Sequence, residues 1–262
     1  ASPARASACA PSVGSLEGAQ AEALAGLAVW PVNAVVKVFP DDIPPREAPA
    51  TVISCARNEK EPLQLALRSP RDLTGVKASV VAPVNAAGAR LDDVEINVVG
   101  FVPIDHKTSY YSTDSPAWHR KYPTSPGACD GWPGMWPDPL LPTDTFDLPA
   151  SATQPVWVTV SVPENAAPGD YFGSVRFQAE GLDTRVPFTV HVWDFALPNE
   201  NHVKAIYDVR QNEGWWQVPG QTRQETLEQF WRFMADHRTN PHQVYPAPSI
   251  RYENGQVIAD FE

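Results

Sequence analysis

Apolar residues recur at every second position in run after run of this chain, and that period decides what it can fold into. Leu63, Leu65 and Leu67 alternate with Gln64, Ala66 and Arg68. Val94, Ile96 and Val98 alternate with Glu95 and Asn97, and Val156, Val158, Val160 and Val162 with Trp157, Thr159 and Ser161. A strand turns successive side chains to opposite faces, so a period of two with one apolar face marks a half-buried strand. The same pattern predicts a strand over 32–39, from Val32, Ala34, Val36 and Val38, and weaker strands at 50–57, 76–82, 171–179 and 186–194. About eight short strands with turn chemistry between them are the pattern of a β-sandwich, immunoglobulin-like or jelly-roll-like.

Proline supports the same class. The 262 residues include 28 Pro and 15 Gly, and Pro suits turns and edge strands while disrupting helix interiors. Ala167-Pro168-Gly169-Asp170 reads as a type II turn, with Pro168 presetting φ and Gly169 supplying the positive φ that follows. Residues 105–153 break the rhythm with Trp118, Trp132, Trp136, Tyr110, Tyr111, Tyr122 and many prolines. An insert of this length is either functional or packed by its own side chains. Its acids Asp130, Asp138, Asp144 and Asp147 are oxygen donors of the kind calcium takes. Spread along turns, they read first as caps on turn backbone.

Charge and special residues narrow the function classes. Lys and Arg number 20 against 31 Asp and Glu, a net charge of −11. No cluster of cations offers the counterion release that nucleic acid binding needs, and anionic lipid is disfavoured on the same ground. No apolar run is long enough to span a membrane. The three cysteines, Cys9, Cys55 and Cys129, include no Cys-x-x-Cys pair, so a structural zinc site is not indicated. Cys55 and Cys129 are the pair within the ordered-looking part. Whether they join is left open, because a disulfide depends on a Cα separation that sequence does not carry. The histidines at 106, 119, 191, 202, 237 and 242 lack His-x-x-x-His spacing, and neither a phosphate-binding Gly-rich loop nor a Gly-x-Ser-x-Gly elbow occurs. No metal and no cofactor is expected.

Three segments follow from this reading: an Ala/Ser-rich tail over 1–29, a sandwich over 30–198 carrying the insert at 105–153, and a different grammar over 199–262. The tail begins at Ala1. It fits the mature start of an exported protein, extracellular or periplasmic, after removal of a signal peptide, and equally an arbitrary fragment boundary. Beyond Pro198, residues 203–209 read as a strand and 222–238 as a helix. Thr222 and Glu225 make a capping box, and Leu227, Phe230, Trp231 and Met234 form one apolar stripe. Asn240-Pro241 stops the helix, 242–245 reads as a second strand, and Asn254-Gly255 turns a hairpin over 251–260. Strand, helix, strand opens a parallel α/β layout. An eight-stranded (β/α)8 barrel takes about 250 residues, so the end of the chain reads as only the start of one. The expected class is mostly β: a sandwich followed by an incomplete barrel.

Four strings carry a family resemblance: ISCARNEKEPLQLAL at 53–67, DPLLP at 138–142, QPVWVTVSVPENAAPGDYFGSVRF at 154–177 and PFTVHVWDFALP at 187–198. In this order and spacing they resemble the N-terminal β-sandwich domain of glycoside hydrolase family 123-like proteins, over roughly 30–200. The resemblance implies a glycosidase that removes terminal β-linked N-acetylgalactosamine from glycans, with a (β/α)8 catalytic barrel beside the sandwich. It implies retaining, substrate-assisted hydrolysis, in which the sugar's own acetamido oxygen attacks the anomeric carbon. An Asp orients that group and a Glu acts as acid and base, an exception to the two-carboxylate scheme. No position here matches either acid, so no catalytic residue is assigned in this chain. The parent is expected to be the enzyme and the fragment itself inactive. The implied partner is a glycan with a terminal N-acetylhexosamine. The alternative is a non-catalytic carbohydrate-binding or barrel-bracing sandwich.

Several side chains are candidates for sugar contact. Barrel enzymes place their chemistry on loops after strands, which points to Asp208, Arg210, Glu213, Trp215 and Trp216 after the first barrel strand and to Tyr245 after the second. Arg and Asp together grip adjacent hydroxyls, and an aromatic face stacks on a pyranose. The alternative there is an Arg210–Asp208 ion pair with core aromatics. Trp132 and Trp136 are insert candidates for a wall of the glycan site. Arg57-Asn58-Glu59 with Glu61 reads as sugar contact or, preferably, as a corner in which Arg57 pairs with a carboxylate and Asn58 makes an Asx turn. Trp193-Asp194-Phe195 reads as apolar cement at a domain junction. Asp41-Asp42 and Asp92-Asp93 read as turn acids.

Overall fold

Ten strands pair into two five-stranded sheets in a computed structural model, which describes residues 26–104, 134–200, 202, 206–207, 218–241 and 249–260. The first sheet takes β1 (Ala28–Val32), β3 (Glu59–Arg68), β5 (Val94–Ile104), β6 (Gly134–Leu141) and β8 (Thr153–Val162), in the antiparallel order β1-β3-β8-β5-β6. The second takes β2 (Val52–Arg57), β4 (Leu73–Asn85), β7 (Thr145–Leu148), β9 (Gly169–Ala179) and β10 (Leu182–Ala196), in the order β2-β10-β9-β4-β7. Only β2 and β10 run parallel within it. The chain divides into two units, Ala1–Leu197 and Pro198–Glu262.

The core of the first unit lies between the inner faces of the two sheets. Leu63, Leu65, Leu67, Val156, Val158, Val160 and Val162 come from one face; Val76, Ala78, Tyr171, Val175, Phe177, Phe188, Val190 and Val192 come from the other. These are the period-two positions of the sequence, and burying each large side chain stabilises by about 1.5–3 kcal/mol. Tyr171 keeps its hydroxyl satisfied by donating to the Ala167 carbonyl at 2.8 Å. Gly169 opens β9 with the positive φ, 120°, that the turn required.

The strand expected over 32–39 is not there. β1 ends at Val32, and the chain folds into a turn closed by Val36 N donating to Asn33 O at 2.9 Å and Val35 N donating to Asn33 Oδ1 at 3.0 Å. The Asn33 side chain competes with a ladder partner for the backbone and wins. The segment then covers the outer face of β3. Gln64, buried there, donates from Nε2 to Asn33 O at 3.1 Å and Val36 O at 2.9 Å. Arg68 Nη1 donates to Asp42 O and to Thr153 Oγ1, both at 3.0 Å. A second small core of Trp30, Val38 and Ala66 fills the space beneath.

The insert is not structureless either: its later part supplies β6 and β7, one edge strand to each sheet. Pro137 and Pro139 fall in β6, an edge strand, where a missing amide is tolerated. Residues 105–133 lie outside the described residues.

Among the described residues the second unit contains one helix, α1 (Arg223–Asp236), and four short strands: β11 (Ile206–Tyr207), β12 (Asn240–Pro241), β13 (Ser249–Glu253) and β14 (Gln256–Asp260). The capping box is formed, with Thr222 Oγ1 accepting from Glu225 N at 3.2 Å and Glu225 Oε2 accepting from Thr222 N at 2.7 Å. These bonds hold the Glu225 carboxyl below the usual carboxylate range. The buried side of α1 is Thr226, Leu227 and Met234, whereas Phe230 is 40% exposed, so the stripe is rotated toward Thr226. The helix ends at Asp236 with His237 as cap, not at Asn240-Pro241, which instead forms β12 parallel to β11. The expected second strand at 242–245 lies outside the described residues. Asn254 and Gly255 take φ of 50° and 79° between β13 and β14, the pair of positive values that a type I′ turn demands.

Candidate functional site

Most of the residues expected to touch a sugar, namely Asp208, Arg210, Glu213, Trp215, Trp216, Tyr245 and Trp132, lie outside the described residues. Trp136 is described. It is 8% exposed, its ring meets Phe39 edge-on at 4.9 Å between centroids, and Lys37 Nζ lies 5.4 Å from its centroid. Its indole is engaged within the sandwich by an aromatic edge and a cation.

Two described groups of raised pKa, Cys55 and Glu61, flank the corner where β2 turns into β3. Asn58 carries that turn with φ of 59°, a left-handed conformation that Asn tolerates. Its Nδ2 donates to Leu197 O at 2.8 Å, and Leu197 N donates to Arg57 O at 2.9 Å, which ties the end of β10 to the corner. Arg57 Nη2 is 3.5 Å from Asp194 Oδ1. Glu59 Oε2 accepts from Ala56 N at 2.6 Å. Arg57, Asn58 and Glu59 therefore act as a structural corner: Asn58 Nδ2 and Glu59 Oε2 are bound to backbone and Arg57 Nη2 faces the Asp194 carboxylate, while Arg57 Nε is buried without a hydrogen-bond partner.

Glu61, two residues on, differs. It lines a cleft of about 340 Å3 together with Asn33, Thr51, Ser54, Pro62 and Gln64. The cleft follows from the topology, because β1 and β2 are edge strands of their sheets and meet β3 along one open side. Partial burial, then the neighbouring Glu59 charge, push the Glu61 carboxyl above the usual carboxylate range. Behind it Cys55 is a fully buried free thiol, pushed up to about 12 by burial and by Glu61 and Glu59. At neutral pH that thiol stays protonated and is no nucleophile. The cleft thus offers one carboxyl of raised proton affinity among neutral polar and backbone groups.

The acids of the turns do what turn acids do. Asp42 Oδ2 accepts from Phe39 N at 2.9 Å, Asp147 Oδ1 from Gly75 N at 2.7 Å, and Asp144 Oδ1 from Thr145 Oγ1 at 2.8 Å. Asp92 pairs with Arg90 at 3.0 Å. Among the described residues no group of three or more His, Cys, Asp or Glu is placed to hold a metal ion, and no helix is long and apolar enough to cross a membrane. Sequence reasoning passed over His191 and Asp170, which the β9–β10 register brings face to face with Nδ1 and Oδ1 2.6 Å apart. The hairpin pairing from Gly169 onward was the signal that would have found them.

Three comparisons bear on this geometry. Residues 53–179, from β2 to the end of β9, match the model of the glycoside hydrolase 123 N-terminal domain. Among solved structures, a family 123 glycoside hydrolase from Clostridium perfringens, described for glycolipid glycan hydrolysis, superposes with a TM-score of 0.55 at 11% identity over 79% of this chain. That overlay covers 32% of the Clostridium protein, so the chain spans about a third of its length and the likeness concerns fold alone. The CooA pilin subunit of enterotoxigenic Escherichia coli (TM-score 0.30, 10% identity, 65% of this chain and 99% of that one) is too distant to bear on function. So is a putative membrane anchored protein of Corynebacterium diphtheriae (0.31, 14%, 66% and 37%). No curated protein matches the chain.

Proposed function

We propose, from the premise that residues 53–179 form a glycoside hydrolase 123-like N-terminal domain, that this chain is the sandwich-bearing part of an exported glycosidase acting on glycans with a terminal β-linked N-acetylhexosamine. The observation that carries the reading is the family match across β2 to β9 on a sandwich of the same fold. The second unit supports it. β11, α1 and β12 make a parallel strand–helix–strand, the repeat from which a (β/α)8 barrel is built. In this reading the barrel carries hydrolysis with retention, the substrate's acetamido oxygen acting as nucleophile. The loop after β11, with Asp208, Arg210, Glu213, Trp215 and Trp216, and Tyr245 after β12, supply contacts to sugar hydroxyls and ring faces.

The sandwich contributes position rather than chemistry. Its corner acid Glu59 accepts from the Ala56 amide, and the buried Cys55 thiol is protonated. The test is hydrolysis by the protein expressed from the whole gene. It is expected to release 4-nitrophenol from the β-N-acetylgalactosaminide and to leave the α-anomer and the unacetylated β-galactoside intact. Equal turnover of the unacetylated glycoside, or none of any substrate by folded protein, contradicts the reading.

A further inference from the structure

The outer face of the second sheet carries a feature that shares only Ser54 with the cleft and none of the residues proposed after β11 and β12. On β10, Phe188, Val190 and Val192 are buried, so Thr189, His191 and Trp193 point outward. On β9, Tyr171 and Val175 are buried, so Asp170 and Phe172 point outward beside them. The registers Thr189↔Phe172, His191↔Asp170, Thr189↔Val52 and His191↔Ser54 lay these residues out as a grid. Phe172 is 56% exposed and Trp193 is 47% exposed. Between their levels runs a polar row of Ser54, His191 and Asp170. Thr189 and Trp193 are four residues apart on β10, so the two aromatic levels are separated by about 13 Å at the usual rise of a strand.

The polar row is organised. His191 Nδ1 and Asp170 Oδ1 are 2.6 Å apart, and an ionised carboxylate only accepts, so Nδ1 carries the proton and donates. That fixes the imidazole plane and leaves Nε2 as its second polar atom. Trp193 meets the imidazole edge-to-face, with centroids 4.5 Å apart and planes at 80°. The indole thereby rests against a ring that is itself held by a carboxylate.

We infer that this face is a glycan-binding platform: Trp193 and Phe172 stack on the apolar faces of pyranose rings while His191, Asp170 and Ser54 hydrogen-bond the hydroxyls between them. A pyranose is the ligand class that presents apolar C–H faces and a rim of hydroxyls together. A protein partner would instead call for a continuous apolar centre, which the polar row interrupts. The spacing suits an oligosaccharide of two or three units rather than a single sugar. The assignment to carbohydrate rests on the glycan-acting reading above; the platform residues are none of those proposed there for sugar contact. The platform gives the sandwich a role of its own, holding a glycan on its outer face.

The experiment is calorimetric titration of the full chain with a neutral trisaccharide ending in β-linked N-acetylgalactosamine, and with the monosaccharide. Saturation-transfer NMR on the same samples reports which sugar protons meet the protein. The trisaccharide is expected to bind saturably in the micromolar to millimolar range and at least tenfold more tightly than the monosaccharide. Trp193→Ala and Phe172→Ser are each expected to weaken it fivefold or more while the thermal midpoint and near-ultraviolet circular dichroism stay those of a folded sandwich. His191→Phe removes the hydrogen bond to Asp170 and keeps a ring, and serves as the second test if either variant unfolds; it is expected to weaken binding without abolishing stacking contacts. Absence of saturable binding, or unchanged affinity in Trp193→Ala and Phe172→Ser, overturns the platform. Self-association through this face without a response to sugar also overturns it. Hydrolysis by the whole-gene product proceeding normally in that case leaves the glycosidase reading standing. Platform binding with no hydrolysis anywhere removes the glycosidase reading and keeps the platform.

Discussion

Gly173 is where the sandwich leaves no room for a side chain, and Gly173→Ala tests that packing. A Cβ built there lies 2.9 Å from Phe188 Cζ, 3.0 Å from Pro83 Cγ and 3.0 Å from the Val81 carbonyl oxygen. Ordinary carbon contacts fall at about 3.5–4.0 Å, so roughly half an ångström must be found on each side. Phe188 is buried at 3% exposure against the core, and Val81 O belongs to β4, whose register with β9 already shifts between Val81 and Val84. Neither neighbour yields freely. Overpacking of this kind costs about 1–3 kcal/mol. The gain from replacing glycine in a strand offsets about 0.5–1 kcal/mol. The net expectation is a loss of about 1–2 kcal/mol, or about 2–8 °C in thermal midpoint for a domain of this size. Urea denaturation followed by tryptophan fluorescence measures it: the midpoint falls and the slope stays as in the parent. A midpoint that is unchanged or raised refutes the close approach of β4, β9 and β10 at this residue.

Other perturbations follow from the polar groups. Gln64→Ala removes the two bonds that hold the 33–36 turn over β3; Asn33 O keeps the Val36 amide while Val36 O loses its donor. A loss of about 1–3 kcal/mol is expected in the same urea assay. Glu61 has its folded pKa raised above the usual 4.5, so the ionised carboxyl costs the folded state stability that it regains only when protonated. Glu61→Gln is therefore expected to raise the thermal midpoint at pH 7, with the advantage fading as pH falls toward 4.5; a lowered midpoint at pH 7 contradicts the assignment. Cys55, buried and pushed up to about 12, is expected to resist iodoacetamide at pH 8 in native protein and to react at least a hundredfold faster in denaturant, as read by mass mapping of its peptide. Rapid native alkylation contradicts its burial.

The sandwich was legible because its core strands obey a single rule. In β8, every second residue from Val156 to Val162 is buried, and the alternation printed that directly. β3 was harder: both its faces are covered, and Gln64 and Ala66 look solvent-facing until the 33–42 segment is laid over them. That covering segment was misread as a strand because Val32, Ala34, Val36 and Val38 alternate; the Asn33 side chain, bonding its own backbone, outweighs four favourable residues. β6 was hidden by Pro137 and Pro139, which an edge strand tolerates, and edge position is a tertiary fact; β7 is only four residues long. The corner at Arg57 and Asn58 was readable from turn chemistry as far as an Arg57–carboxylate pair; that the carboxylate is Asp194, and that Asn58 bonds Leu197 O rather than forming an Asx turn, depend on where β10 ends. The His191–Asp170 pair was not, since the residues are far apart in sequence and meet only through the register of a hairpin.

The central claim is that this sandwich belongs to a glycosidase using its substrate's acetamido group, and the stereochemistry of release tests it most directly. Proton NMR of the whole-gene product acting on a β-N-acetylgalactosaminide resolves the first-formed anomer before mutarotation. Retention through an acetamido-assisted double displacement predicts the β-anomer first, with the α-anomer growing in only later. Appearance of the α-anomer first would mean direct attack by water, and would contradict the account.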